Sequence, residues 1–332
     1  FRKLTGGMLT ALPRHLTLRE SVEWSLELLS EDERVVLRRL AVFAGGFQLD
    51  SIEGVCTDPR IVRERVLDIL TALVDRSLVQ VEEGARVTRY RLLETIRQYA
   101  SDRLIESGEM EATRTRHLRF FLALADQAGP ALEGAGLFEW LPRLDADHDN
   151  IRVALDWSLE AHAYADGLRF ASALWLFWLL RGHLTEGKQR CKLALEMADA
   201  PPSLRASALI GLGQLRVLRG DLGEAATVAQ EALEIARAQQ DRRLEGRALD
   251  TLAYSTAFID PAAAPRLFAE SVSVSREAGD GPFVADALNG LGISHYLAGD
   301  YHTATRALLE GVACSRESGN AGTLTIGLAV LG

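Results

Sequence analysis

Leucines and small residues recur through the second half of this chain at intervals of about forty residues. The leucines are 38, 40, 39 and 40 residues apart, at Leu174, Leu212, Leu252, Leu291 and Leu331. The next position holds Trp175, Gly213, Ala253, Gly292 and Gly332. Self-similarity at an interval of this length indicates one small helical unit stacked repeatedly along the chain.

Two further columns of small residues define the second helix of each unit. They are Gly187, Ala225, Ala264 and Ala304, followed seven residues later by Ala194, Ala232, Ser271 and Gly311. Seven residues make two helical turns, so both columns lie on one face and allow a neighbouring helix to approach closely. Each unit is therefore predicted to be a helical hairpin, in which Asp221, Asp260 or Asp300 caps the second helix.

The first third of the chain begins with two helix-start signals. Thr17-x-x-Glu20 and Ser30-x-x-Glu33 each place a hydroxyl and a carboxylate three residues apart. This spacing is the capping box, in which the two side chains satisfy free backbone amides at a helix start. Two helices are therefore predicted to begin at these positions.

A third helix and a β-hairpin are predicted next. The helix falls within residues 60–78 and has apolar residues at helical spacing. These are Val66, Ile69, Leu70, Leu73 and Val74. Alternating segments on either side of Glu83-Gly84 predict the hairpin. Together the patterns predict a mainly α fold, with a winged-helix domain of three helices plus a β-hairpin followed by a helical array.

Composition indicates a folded protein of the cytoplasm. Hydrophobic residues make up 48% and charged residues 25% of the 332 residues. The longest apolar run, residues 170–180, is too short to cross a bilayer, and no secretory signal opens the chain, so no membrane partner is expected. Cys56, Cys191 and Cys314 are isolated in sequence, which fits a reducing compartment.

Charge and motifs argue against direct DNA contact and against catalysis. The net charge is -9, whereas phosphate binding needs a basic patch, so DNA is expected to be contacted only through another domain. The seven histidines form no metal-binding or nucleophile motif. The acidic stretch at 145–149 is expected to be a solvated turn at a helix start. We therefore expect neither an enzyme nor a metal site.

The repeat spacing resembles that of tetratricopeptide repeats, although the interval is longer than the usual ~34 residues. The resemblance covers residues 165–332, with four full units and a truncated fifth. It implies an α-solenoid whose first helices line a groove for a protein, a peptide or a small-molecule effector. The groove positions carried over from that family are Leu176, Leu179, Ile210, Gln214, Val217, Asp250, Tyr254, Asn289, Ile293 and Tyr296.

A second resemblance extends over nearly the whole chain. The blocks "LPRHLTLRESVEWSLELLSEDERVVLRRLAVFAGGF", "LVDRSLV" and "YRLLETIRQYA" are similar to a segment of large actinobacterial transcription regulators. These regulators are signal-transduction ATPases of the STAND or NB-ARC type, including LuxR-like and SARP-like proteins. The resemblance implies an upstream domain that binds ATP or ADP, a repeat array that senses a signal, and an effector domain elsewhere.

The sequence departs from that family in two respects. It contains no Gly-x-x-x-x-Gly-Lys-Ser/Thr loop, so no nucleotide cofactor is expected in this chain itself. In place of the family's Met-His-Asp motif it has Leu92, Leu93 and Glu94. The resemblance therefore leaves Glu94, and His15 as a substitute, as candidate contacts to the upstream nucleotide domain.

These observations predict four regions. Residues 1–16 are the tail of a preceding nucleotide-binding region or linker, 17–109 the winged helix, 110–164 connecting helices and 165–332 the repeats. Because the chain lacks an initial methionine and ends in an apolar pattern, we expect a fragment of a larger protein.

The leading interpretation is a non-catalytic regulatory and sensor region that couples an upstream ATPase to the repeats. Two alternatives remain open. One is a DNA-binding winged helix with a repeat-based dimerisation or effector arm. The other is a protein-interaction scaffold.

Overall fold

The computed structural model describes residues 25–82, 87–197 and 200–332, and these are mainly helical. Two compact units can be distinguished. One contains Phe1–Phe121 and Ala146–Trp157, and the other contains Leu122–Asp145 and Ser158–Gly332.

The first unit has a winged-helix order of elements. In chain order they are α1 (Glu31–Leu40), β1 (Gly46–Phe47), α2 (Leu49–Cys56), α3 (Arg63–Asp75), β2 (Val79–Glu82), β3 (Arg89–Leu92) and α4 (Glu94–Glu106). The strands form an antiparallel sheet of order β1-β3-β2, in which Val81 is paired with Tyr90. The predicted hairpin is confirmed, and β1 adds a third strand that the sequence pattern did not indicate.

This unit contains one of the two predicted helix starts and the predicted core positions of the third helix. The capping box of Ser30 and Glu33 begins α1, as predicted. The box at Thr17 and Glu20 and the turn at Glu83-Gly84 lie outside the described residues. Four of the five predicted apolar positions on α3 are buried, and Val74 is half-buried.

Two long helices, α5 (Met110–Leu132) and α6 (Leu137–Glu160), contribute residues to both units. The acidic stretch at 145–149 was predicted to be a solvated turn, and this prediction is wrong. It lies inside α6, where Asp147 and His148 are buried. Polar partners, described below, compensate for burying Asp147.

The second unit contains the helical repeats. They are α7 (Tyr164–Leu180), α8 (Leu184–Met197), α9 (Pro202–Arg219), α10 (Leu222–Ala238), α11 (Arg242–Ile259), α12 (Ala264–Glu277), α13 (Gly281–Leu297), α14 (Tyr301–Ser318) and α15 (Ala321–Leu331). Both predicted columns of small residues are buried along the second helices. The predicted fold class, a winged helix followed by a tetratricopeptide-like solenoid, is confirmed.

The predicted caps of the second helices differ in outcome. Asp300 precedes α14 and accepts a hydrogen bond from the Thr303 amide at 3.1 Å. Asp221 precedes α10, but its carboxylate instead accepts from the Lys188 ammonium at 2.7 Å. For Asp260 the prediction is wrong, because this residue ends α11.

In the described part of the chain, no helix is both long enough and apolar enough to cross a bilayer.

Candidate ligand groove in the helical repeats

A groove of about 490 Å³ lies among the first helices of three repeats. Helices α7, α9 and α11 supply Arg169, Ser172, Ser207, Arg243 and Arg247. The end of α5 supplies Asp126, and the turn after it supplies Glu133. This volume is within the range of small-molecule sites in proteins. The lining mixes arginines, carboxylates and hydroxyls, which suits a polar ligand rather than a purely apolar one.

Residues 126–137, which we call the crossing segment, contact the first, third and fourth repeats. Asp126 accepts a hydrogen bond from Arg169 at 2.5 Å. Glu133 accepts two hydrogen bonds from Arg247, at 3.0 and 2.8 Å. Farther along, a methyl group at Gly319 would come within 2.9 Å of the Ala135 side chain. The carboxylate of Glu133 therefore binds Arg247, and both side chains line the groove.

Arg247 is held on both edges of its guanidinium group. Its Nε donates to Asp280 at 2.7 Å, while Nη1 and Nη2 reach Glu133. The group also lies over the Phe283 ring, 3.9 Å from the ring centre. Burial alone would lower the pKa of Arg247, but the charges of Glu133 and Asp280 raise it overall. Arg247 is therefore a fixed cation with two carboxylate partners.

A pair of carboxyl groups lies on the neighbouring first helices. Asp250 on α11 is fully buried, and its Oδ2 accepts from the Gln214 amide at 3.3 Å. Burial raises the pKa of Asp250 well above its usual range, and the facing carboxyl of Asp286 on α13 raises it further. Burial likewise raises the pKa of Asp286 to about 6, with a smaller contribution from the charge of Glu133. Two carboxyl groups in this arrangement favour sharing a proton.

Three of the ten predicted groove residues lie together around this pair. Gln214 and Asp250 are hydrogen-bonded, and burial followed by the charges of Asp286 and Asp250 raises the pKa of Tyr254. None of the ten lines the 490 Å³ groove itself, which is formed by residues nearer the start of the first helices.

The remaining predicted groove positions are dispersed. Ile210 and Asn289 are buried, and Asn289 donates to the Thr323 carbonyl at 2.8 Å, which is a contact between neighbouring repeats. Tyr296 is exposed. Leu176, Leu179, Val217 and Ile293 are half-buried. Sequence reasoning missed Glu133, Arg247 and Asp280, because the two carboxylates lie 114 and 33 residues from Arg247 and such distant pairing leaves no local pattern.

Of the two predicted contacts to a nucleotide domain, Glu94 lies in the described part of the first unit. Glu94 begins α4 and is exposed, and its carboxylate accepts from Arg97 at 2.7 Å. The hydrogen bond from Arg97 lowers the pKa of Glu94. His15 lies outside the described residues.

Two arginines of the third helix, α3, and one just after it are already paired within the first unit. Arg63 pairs with Glu53 at 2.6 Å, and Arg65 pairs with Asp32. Just past the end of the helix, Arg76 reaches Glu33 at 3.1 Å. A helix that enters a DNA groove needs free cations facing phosphates. Here those cations face carboxylates of their own unit.

Helix α6 supplies polar anchors to the sheet of the first unit. Asn150 accepts from the Ala44 amide and donates to the Gly46 carbonyl, both at 2.8 Å. Asp147 accepts from Arg89 of β3 at 2.9 Å. These contacts explain why two polar side chains are buried in the middle of a helix.

Comparison with known proteins supports the two-part architecture. Residues 29–105 match the family model described as a winged helix-turn-helix domain. A protein of Mycobacterium tuberculosis with the provisional name HTH-type transcriptional regulator Rv0890c is 35% identical over 309 residues, which are 90% of this chain and 35% of that protein. The chain thus spans about a third of the length of the curated relatives it matches.

Two solved structures share the fold. One is a signal transduction ATPase with numerous domains that has a tetratricopeptide repeat sensor, from Pyrococcus horikoshii, with a TM-score of 0.52 at 14% identity over 98% of this chain and 50% of that one. The other is aspartyl phosphate phosphatase F from Bacillus subtilis, with a TM-score of 0.51 at 15% identity over 95% of this chain and 73% of that one. At such identities the likeness concerns the fold alone.

Proposed function

We propose that this chain is the non-catalytic regulatory and sensor region of a STAND-type transcription regulator of the cytoplasm. In this proposal the repeats bind an effector, and the winged helix couples them to an upstream domain that binds ATP or ADP. The support is a winged helix joined to a repeat array, in a chain similar to mycobacterial proteins named as HTH-type regulators. The sensor role of the repeats in the Pyrococcus protein, stated in its title, is consistent with this assignment.

The observation that carries the proposal is the role of α6. Its residues Asp147 and Asn150 anchor strands β3 and β1 of the winged helix, while its first residues belong to the repeat unit. A change in the repeats that moves α6 would act directly on the strands of the winged helix. No catalytic constellation is required for such coupling.

The test is hydrogen exchange on the full-length protein that contains this chain, with ATP, with ADP and without nucleotide. We expect nucleotide-dependent protection at the start of α4, near Glu94, and in the part of α6 around Asn150. The amides of the exposed turn residues Asp260 and Ala262 in the repeats serve as an internal reference. Unchanged protection in the winged helix at saturating nucleotide would contradict the coupling.

A DNA-binding winged helix remains the second candidate, because residues 29–105 match a helix-turn-helix family. The ion pairs of Arg63 and Arg65 argue against groove insertion. A gel shift with this chain is expected to show no binding that survives competitor DNA. Specific, salt-sensitive binding that is lost in Arg65→Ala would favour the DNA-binding alternative.

A further inference from the structure

Two carboxylates hold the guanidinium of Arg247, and they differ in origin. Asp280 belongs to the repeats, immediately precedes α13 and is almost fully buried, so it is a permanent partner. Glu133 belongs to the crossing segment and lies in the turn between α5 and α6, beside Gly134. One edge of Arg247 is thus fixed by the repeats, and the other is occupied by a residue of a connecting turn.

Glu133 also lies near other negative charge. Burial is the main cause of the raised pKa of Asp286, and the negative charge of Glu133 adds to it, as expected for two carboxylates that repel each other when ionised. Arg247 offsets this repulsion at Glu133 through two hydrogen bonds of 3.0 and 2.8 Å. Bidentate hydrogen bonding of this kind is the geometry in which arginine commonly binds a carboxylate.

The groove of about 490 Å³ opens beside this ion pair, and both Glu133 and Arg247 line it. Arg169 and Arg243 also line the groove, each paired with a carboxylate, and the hydroxyls of Ser172 and Ser207 add polar groups. A ligand in the groove that carries a carboxylate would therefore meet Arg247 at the position that Glu133 now holds.

We propose that Arg247 is the carboxylate-binding subsite of the repeat groove, and that its ligand is a small molecule whose carboxylate displaces Glu133. Displacement frees the crossing segment from the third repeat. Calling the ligand an effector rests on the proposed sensor function, whereas the subsite itself is a property of this chain alone. In the absence of ligand, Glu133 acts as an internal substitute for it.

Chemical rescue tests the subsite directly. Glu133→Ala leaves a gap beside Arg247, so added acetate should raise Tm by roughly 2 °C or more relative to chloride at equal ionic strength. The double variant Glu133→Ala/Arg247→Ala should show no such rise. A matched control is Glu231→Ala, which removes the ion pair with Arg205 elsewhere in the repeats. Equal effects of acetate on the single and double variants would overturn the proposal.

A second measurement uses a variant that keeps the side-chain volume and so does not depend on the Ala variant folding. In Glu133→Gln, succinate no longer competes with a charged side chain, so its Kd should be about tenfold lower than in the wild type. In the wild type, saturating succinate should accelerate hydrogen exchange at Glu133 to Gly136. Unchanged succinate affinity in Glu133→Gln, or slower exchange in that turn, would exclude displacement.

The two proposals can fail separately. Rescue by acetate together with nucleotide-independent exchange in the full-length protein would retain the carboxylate subsite and reject the nucleotide switch. Nucleotide-dependent exchange without rescue would retain the switch and reject this subsite.

Discussion

Arg89 of β3 and Asp147 of α6 form an ion pair of 2.9 Å in which both side chains are less than a tenth exposed. Arg89 also donates to the carbonyls of Gly46 and Ala146, so the pair joins the sheet to the helix. Removing the charge of Asp147 leaves the buried guanidinium of Arg89 with the more distant carboxylate of Glu82, at 3.8 Å, and with much of its charge uncompensated.

Asp147→Asn is therefore expected to lower the free energy of unfolding by about 3 kcal/mol. Asp149→Asn is the matched control, because Asp149 is two residues away and exposed, and its carboxylate pairs with Arg152 on the same helix. Urea unfolding followed by circular dichroism measures both. Similar free energies for the two variants would mean that the Arg89 pair contributes little.

The contact between the third and fourth repeats depends on Gly290. A methyl group at this position would lie 2.2 Å from Cε1 of Phe268, a fully buried ring that also packs edge-on against Tyr254. Because that ring has no room to move, Gly290→Ala should destabilise the chain by about 1–3 kcal/mol. Gly223→Ala, in open space near the start of α10, should be neutral or stabilising by up to ~1 kcal/mol. Thermal unfolding distinguishes the two, and equal Tm values would contradict close packing here.

Stability should depend on pH through Asp286. Burial raises the pKa of this carboxyl from 3.8 to about 6. The folded state therefore holds the proton more tightly than the unfolded state, and stability is lost as pH rises from about 4 to about 6. The loss should be about 2 kcal/mol and should be absent in Asp286→Asn. Urea unfolding across this pH range tests it, with Asp260→Asn at an exposed position as control.

The pH profiles of the wild type and the two variants distinguish the possible causes of the pH dependence. If wild type and Asp286→Asn show parallel pH profiles, Asp286 does not carry the raised pKa. If the profile of Asp260→Asn also flattens, the dependence reflects overall charge rather than the carboxyl pair with Asp250.

The start of α1 depends on Ser30. Its hydroxyl accepts from the Glu33 amide at 3.3 Å, and Glu33 accepts from the Ser30 amide at 2.7 Å. Ser30→Ala should lower the free energy of unfolding by about 1 kcal/mol, because it exposes a helix amide without a partner. Ser203→Ala, at an exposed position in α9, is the control and should change little. No difference between the two would show that the cap is replaced by water.

The sequence was sufficient to predict features that arise from local spacing. The capping box at Ser30 and the hairpin follow from residues that are close together in the sequence. The buried columns containing Ala225 and Ala232 follow from a spacing of seven residues that recurs about every forty residues. Asp260 was misassigned because the third repeat lacks the glycine of the other turns. Asp260 itself follows the last residue of α11, Ile259, as Gly220 follows Arg219 at the end of α9.

Features that depend on distant partners could not be predicted in this way. The acidic stretch around Asp147 was interpreted as a solvated turn, since its partner Arg89 is 58 residues away. For the same reason the groove positions were taken from a family pattern. They include the Asp250 cluster but omit Arg247, whose role depends on Glu133 being brought to it by α5.

The crossing segment also restricts how this array can evolve. Open helical arrays usually tolerate the gain or loss of a unit, because each unit contacts only its neighbours. Here one short turn meets Arg247 in the third unit and Gly319 at the end of the fourth. Deleting or duplicating helices between them would move Arg247 away from Glu133 or Gly319 away from Ala135. The constant length of the crossing segment therefore fixes the number of units in this stretch, unlike in an ordinary solenoid.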